Sequence, residues 1–454
     1  MTTASKGTND PRTALGTGEL LRFYLPLVLT SQMMTLGVPL INLALTRAAD
    51  PQLHLAAYGV CFGLLVFLNA PMLVSRDAGA GLAHDRASWR RLVLVVMVGG
   101  AVVAGIDLLL AFTALGDWAF GRLLEATPRV VAEARATAVS LAPIPLLVGM
   151  RGLYSALALR AQRTRLLTEA TFLRMLVLVG FVFVVLRLTE PKAHLVGWAL
   201  TAGIALETLW IGWVTRPLLR DLPLRTTTGG AHSYGRILSY TLPLVLSAFA
   251  WTALRPIVNG ILGRTGDSEA AQASFGVLHP LVLLTGSALW ALQATHQILA
   301  TSPERARRAL RFGLITTVIC SAIVAALGWI PPVRTFLLTE VFTLPPRLLD
   351  YVTPAMLMLF VAPFMLGLRA CTKGLILASG RTGIISASAV ADLTVVLTLG
   401  GLSLAWFPNV NGAVLGIVLV TAAEITETLL LGGAALQRFD LARRLRGVEP
   451  GRTR

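Results

Sequence analysis

Apolar runs of about twenty residues or more, the length a helix needs to cross a bilayer, recur twelve times along the chain. They fall at approximately 20–46, 53–75, 90–115, 131–159, 166–187, 194–215, 236–263, 271–299, 312–330, 348–378, 383–406 and 411–436. Several are longer than a span requires or carry Pro and Gly, which predicts tilted or kinked helices. The pattern reads as an all-α integral membrane protein. Six spans precede and six follow a polar stretch, 216–235, that holds Pro217, Pro223, three successive threonines, Gly229 and Gly230. Such a stretch predicts a linker. The expected organisation is a tail (1–19), an N-lobe (20–215), the linker (216–235), a C-lobe (236–436) and a basic tail (437–454).

The two halves repeat. Leu25-Pro26-Leu27-Val28-Leu29 returns as Leu242-Pro243-Leu244-Val245-Leu246, an offset of 217, and in the same register Thr35, Pro39, Asn42 and Gly59 meet Thr252, Pro256, Asn259 and Gly276. Arg151 meets Arg369 at 218, and Glu207-Thr208-Leu209 meets Glu427-Thr428-Leu429 at 220. Because each half has an even number of spans, both enter the membrane in the same direction. The lobes should therefore be related by a pseudo-twofold along the membrane normal, with the site of action between them.

Composition agrees: 55% of residues are hydrophobic and 14% charged, against about 25% charged in soluble domains. The net charge of +16 would suit a nucleic-acid binder, but its distribution argues otherwise. The N-terminus, every second loop and the C-terminus hold 25 of the 39 Lys and Arg, in clusters such as Arg86-Arg90-Arg91 and Arg305-Arg307-Arg308-Arg311. The opposite loops hold 9, matched by 9 acids. That asymmetry places both termini in the cytoplasm of a cell (inner or plasma) membrane, and no nucleic-acid partner is expected. Met1 to Leu20 lacks the basic-then-apolar pattern of a cleaved signal, so the first apolar run is expected to remain as a span. Cys61, Cys320 and Cys371 lie inside spans at spacings that match no metal or redox motif, and read as small apolar fillers.

No nucleotide-phosphate loop, HExxH or nucleophile–acid constellation is present. An enzyme is not expected, nor a cofactor or metal, and uphill transport would need an ion or substrate gradient. The residues that could carry chemistry are polar groups inside spans. Pro39 and Pro256 each free the carbonyl four residues before, at Thr35 and Thr252, and could act as hinges or as static bends inherited by duplication. Arg255 stands beside Pro256, where its repeat mate is Val38, so the charge was placed in one half only. An intramembrane arginine costs about 2.5–3.5 kcal/mol on insertion scales, which makes a functional role the default over snorkelling to the headgroups. Asn42 and Asn259 lie about one turn further along on a similar face.

Arg151, Arg369 and Lys373, the last one turn after Arg369, could flank an anion or pair with the intramembrane acids Asp107, Glu169, Glu207, Asp392, Glu424 and Glu427. Arg174 and Asp392 occupy equivalent positions, which suggests one pair across the lobes or two local ones. Glu207, Glu424 and Glu427 are candidates for proton coupling or for structural pairing. His279 and His296 could relay protons or fill space with a hydrogen bond.

Twelve spans in two six-helix repeats resemble the MATE and polysaccharide-flippase superfamily. Leu21-Arg22-Phe23-Tyr24-Leu25-Pro26-Leu27, Leu55-Ala56-Ala57-Tyr58-Gly59, Arg255-Pro256-Ile257-Val258-Asn259 and Gly412-Ala413-Val414-Leu415-Gly416 resemble its progressive ankylosis branch. The resemblance implies a MATE-like fold and export of an anion such as pyrophosphate, citrate or nucleotide, with Arg255, Asn259 and Arg369 as the residues carried over. Span one lacks the carboxylate that proton-coupled prokaryotic members use, and span eight lacks acidic character, so coupling and substrate do not transfer with the fold. The leading expectation is a secondary transporter in which two lobes alternate access to a small anionic substrate amid membrane lipids, with a possible coupling ion. A lipid-linked precursor flippase and a multidrug exporter are the alternatives, and Arg255 disfavours cationic drugs. A non-transporting assembly subunit would leave the buried charges and paired kinks without a purpose.

Overall fold

The computed structural model describes residues 15–188, 190–224, 232–342, 344–407 and 409–439, apart from the side chains of 38, 185–188, 285 and 437–439. Most of the two expected tails and residues 225–231 of the expected linker lie outside these. Twelve helices are long and apolar enough to cross a membrane. In the first half they are α1 (Thr17–Leu45), α2 (Pro51–Leu68), α3 (Arg86–Phe112), α4 (Pro128–Arg160), α5 (Arg165–Leu188) and α6 (Ala193–Val214). In the second half they are α7 (Tyr234–Leu262), α8 (Ser268–Leu299), α9 (Pro303–Trp329), α10 (Pro346–Ser379), α11 (Thr382–Trp406) and α12 (Gly412–Phe439). The protein is a multi-pass membrane protein of two six-helix lobes.

Local chemistry sets the helix starts. The Asp50 carboxylate accepts the Leu53 N–H ahead of α2, where Pro51 occupies the first turn. Asp85 caps α3 through Ser88 at 2.7 Å, and Ser302 caps α9. The second span departs from its expected single run. It breaks after Leu68 and continues as two short pieces, Ala70–Leu73 and Ser75–Leu82, with Pro71 in the first turn of the middle piece. Hydropathy cannot report that break, because the residues on both sides are apolar or small. Span nine starts well before its apolar run, because the Ser302 cap and Pro303 initiate the helix across the basic cluster.

The repeat survives as hydrogen bonds. The α4 helix is interrupted after Leu141 and α10 after Met358. Each is preceded by a π-helical turn, Asp117–Leu123 and Leu337–Val341. The turns close alike: Leu124 N–H donates to the Ala119 carbonyl as Phe342 N–H does to Leu337, and Ala126 to Phe120 as Leu344 to Leu338. Arg129 meets Asp50 at 3.3 Å, and Arg347 meets Asp267 at the same distance. Thr208 Oγ1 donates to the Leu147 carbonyl at 3.2 Å, as Thr428 does to Met365. Equivalent spans are thus packed equivalently in both lobes.

The apolar core shows how the lobes meet. Call the end of the bundle where α1 begins the near end. In the near half one contiguous core draws on both lobes, from Phe23, Leu82, Leu92 and Leu153 to Leu244, Leu292, Leu366 and Leu375. In the far half there is no such sharing. Ile41, Leu45, Tyr58, Phe120 and Leu178 form an N-lobe core, while Leu278, Val324 and Met356 in one cluster and Val258, Leu262, Phe275 and Val396 in another serve the C-lobe alone. Apolar burial, at roughly 25 cal/mol per Å², therefore binds the lobes at the near end only.

Candidate functional site in the inter-lobe cleft

Contacts between the lobes run from the near end to mid-helix. Arg305 Nη2 pairs with Glu19 at 2.6 Å, and Gln293 Nε2 donates to Asp77 at 2.8 Å. Tyr24 donates to the Ala288 carbonyl and stacks edge-on against Phe312. At mid-helix, Gln32 donates to the Leu284 carbonyl and Phe67 packs on Phe249. Beyond that level Pro39, Asn42, Arg255 and Pro256 are exposed. With the shared core confined to the near half, the inter-lobe space toward the far end is the candidate cleft.

One face of α7 turns toward α8. Helical spacing puts Trp251, Arg255 and Asn259 on it, one turn apart. Trp251 meets Trp290 edge-on at 5.7 Å between ring centroids, and Gln272 Nε2 donates to the Asn259 carbonyl at 3.2 Å. Between those two contacts the Arg255 guanidinium lies close enough to His279 for its charge to bear on the imidazole. His279 packs against Phe275, and its Nδ1 is buried without a hydrogen-bond partner. Arg255 makes no ion pair among the described residues. Asn42, on α1, is exposed in the far third of its helix. The prolines sit inside uninterrupted helices, and the hydroxyls of Thr35 and Thr252 donate back to the carbonyls of Ser31 and Ala248 at 3.0 Å each.

The remaining intramembrane cations are held inside their own lobes. In the N-lobe, Glu207 is the hub: Arg151 Nη1 approaches it at 3.1 Å, Arg174 Nη1 at 3.2 Å, and Thr171 donates to its other oxygen at 2.7 Å. In the C-lobe, Arg369 lies 2.6 Å from Glu424 and 2.9 Å from Glu427, and Lys373 reaches Glu427 at 3.5 Å. Lys373 also donates to Ser247 on α7 at 3.2 Å. Asp392 is buried within electrostatic reach of all four C-lobe charges, and its Oδ1 has no hydrogen-bond partner. The structure thus brings Arg151 to Glu207, and Arg369 and Lys373 to Glu424 and Glu427, but sets neither group across the cleft. Arg174 and Asp392 belong to separate local clusters.

The clusters share a core and differ in what surrounds it. Arg151–Glu207 and Arg369–Glu427 are repeat mates. Around them the N-lobe adds a cation (Arg174) and the C-lobe adds a cation and two acids (Lys373, Asp392, Glu424). His296 lies in the C-lobe interior, with Nδ1 2.7 Å from the Leu292 carbonyl and Gly313 against its ring. Trp290 and Gln272, which hold the helix turns on either side of Arg255, escape sequence reasoning because they have apolar repeat mates, and a symmetry search passes over them.

Comparison with known proteins follows the same lines. A MOP-superfamily MATE multidrug transporter in an outward-facing conformation superposes with a TM-score of 0.72 at 14% identity, over 94% of this chain and 96% of that one. The eukaryotic MATE transporter AtDTX14 gives 0.68 at 16% identity, over 95% and 98%. A MOP-superfamily transporter from Pyrococcus furiosus, described as having a binding pocket of reverse polarity, gives 0.68 at 14%, over 93% and 95%. At these identities the likeness is one of fold. The family model of the progressive ankylosis protein (ANKH) matches residues 14–281, more than half of the sequence. With a MATE-type bundle, an inter-lobe cleft and a matching family model, the chain belongs to the progressive ankylosis protein family of membrane transporters.

Proposed function

We propose that this transporter is secondary-active and exports an organic or phosphate-containing anion, such as pyrophosphate, citrate or a nucleotide, by alternating access of its two lobes (20–215 and 236–436) about the 216–235 linker. One observation carries the reading. Arg151, Arg174, Arg369 and Lys373 face carboxylates in their own lobes, whereas Arg255 is exposed on α7 and makes no ion pair among the described residues. A guanidinium held there is a planar donor for carboxylate or phosphate oxygens. Asn259 and Asn42 can add amide donors, and His279 a ring nitrogen. Arg151, Arg369 and Lys373 act at one remove, by fixing the helices that frame the cleft.

Orientation follows from the basic loops, which put the near end and both termini in the cytoplasm of the cell membrane. On this reading the far end is outside and the arrangement described corresponds to an outward-open state. Return to an inward-open state requires the near-half core to part, with α1 and α7 flexing at Pro39 and Pro256. The C-lobe acids are the candidate coupling site. With three carboxylates (Asp392, Glu424, Glu427) against two cations (Arg369, Lys373), the cluster can hold a proton, and Lys373–Ser247 links its charge to the helix that bears Arg255.

The test is efflux of labelled pyrophosphate, citrate and ATP from proteoliposomes. Arg255→Ala with folding intact should abolish efflux of whichever anion the wild type carries. If every anion effluxes equally in wild type and variant while lipid translocation is lost in the variant, the flippase reading replaces this one.

A further inference from the structure

At the near end, where the lobes meet, lies a second cavity, distinct from the cleft. Its volume is about 640 Å³, within the roughly 300–1,000 Å³ of small-molecule sites. The N-lobe contributes His84, from the loop after Ser75–Leu82, and Arg160, from the end of α4. The other side contributes His232, in the linker two residues before α7, Arg236, in the first turn of α7, and Arg305, from the start of α9. No acidic side chain is among its lining residues. Glu19, which pairs with Arg305, and Asp77, held by Gln293 and Gln297, stand behind the wall.

The cations are differently engaged. Arg305 is buried and committed to Glu19 and to the Leu299 carbonyl. Arg160 donates to the Ala80 carbonyl at 2.9 Å and meets His84 Nε2 at 3.3 Å, leaving the rest of its fork free to turn inward. Arg236 is exposed, and its guanidinium makes no ion pair among the described residues. His84 and His232 face each other edge-on at 5.9 Å, one from each side of the lobe boundary. A cationic ligand would meet three arginines and no carboxylate in this lining. A ligand with two or more phosphates would find Arg160 on one wall and Arg236 on the opposite one.

We infer that this cavity binds a phosphate-bearing polyanion and that its occupancy holds the near end shut. The second half rests on the alternating-access reading: when the lobes part at the near end, Arg160 and Arg236 separate and the site is dismantled, so a ligand bound there selects the closed state. The phosphates could come from a soluble polyanion or from a polyphosphorylated lipid headgroup.

Titration calorimetry of the purified protein with inorganic tripolyphosphate, and flotation with phosphatidylcholine vesicles with or without phosphatidylinositol bisphosphate, separate these sources. Arg236→Gln and Arg160→Gln should each weaken binding at least about tenfold, as expected for loss of a charge-assisted contact. The measurements are made in an Arg255→Gln background, so that anion binding at Arg255 does not contribute. Dependence on Arg236 and Arg160 with tripolyphosphate supports a soluble ligand; dependence seen only with the lipid supports a headgroup. Spin labels at Arg90→Cys and Arg307→Cys, one exposed near-end position in each lobe, should shift to their short-distance population when the probe binds. The inference is overturned if affinity survives both Arg→Gln changes, if the Arg255→Gln background binds neither tripolyphosphate nor the lipid, or if the probe leaves the distance distribution unchanged. Because Arg160 also supports the Ala80 carbonyl, Arg236→Gln decides the matter if Arg160→Gln fails to fold. None of these readouts requires transport, so failure of anion export would leave the binding result standing.

Discussion

Neutralising one acid at a time should separate the two buried clusters sharply. Among the described residues Glu207 is the one carboxylate paired with Arg151 and Arg174, both within 3.2 Å, and its side chain is only 4% exposed. Glu207→Gln keeps the shape, leaves two guanidinium groups with no counter-charge in the lobe interior and weakens the Thr171 contact. Breaking a buried pair by removing one partner costs about 3–5 kcal/mol. In the C-lobe the arithmetic differs. Glu424→Gln leaves Arg369 with Glu427 at 2.9 Å and Lys373 with Glu427 at 3.5 Å, while Asp392 remains nearby. Two carboxylates then face two cations, and the loss should stay within about 1 kcal/mol, the net worth of a typical hydrogen bond. Equilibrium unfolding in mixed detergent–SDS micelles would measure both. Equal destabilisation by the two substitutions would refute the claim that charge balance within each lobe sets the cost.

Three further outcomes follow from particular contacts. A Cβ at Gly374 would run into the Gln293 carbonyl oxygen of α8, so Gly374→Ala should push α8 from α10 and cost about 1–3 kcal/mol in the same unfolding assay. Pro256→Ala restores a backbone donor near Thr252 and should slow the exchange of spin labels between open and closed distances with little change in stability; an unaltered exchange rate would make the bend static. Burial first, and then Arg160, lower the pKa of His84. The unfolded imidazole, with a pKa of about 6.5, therefore takes up its proton first, so His84 lowers stability as pH falls below that value. His84→Gln should flatten this part of the wild-type stability–pH profile, and identical profiles would show that the histidine is not held neutral.

Much of the architecture is written in the order of residues. Twelve apolar runs are enough to place the spans, and the 217–220 offset anticipates that Arg151 and Glu207 should stand to one lobe as Arg369 and Glu427 stand to the other. What sequence leaves open is which of several partners each charge chooses. Arg174 and Asp392 are equally compatible with a bridge across the lobes and with local pairing, because register along the chain carries no information on how far apart two helices sit. The break in the second span is hidden for another reason: a change in backbone hydrogen bonding at Asn69 and Val74 alters no hydropathy. The near-end arginines read first as a topology signal, and only the packing of helix ends around Arg160, Arg236 and Arg305 makes them the walls of a cavity. Conversely, the isolation of Arg255 from its repeat mate is visible in the sequence, and the structure leaves it exposed with no ion pair among the described residues.

That residue offers the most direct test of the account. Pyrophosphate, citrate and ATP binding to the purified protein, measured by calorimetry for Arg255→Lys, Arg255→Gln and Arg255→Glu with near-end polyanion binding blocked by Arg236→Gln, reads the cleft alone. The account predicts that for the anion the wild type binds, affinity falls in that order, by at least about tenfold from wild type to Gln as a charge-assisted contact is lost, and becomes undetectable with Glu. Equal affinity in the wild type and Arg255→Glu would contradict it.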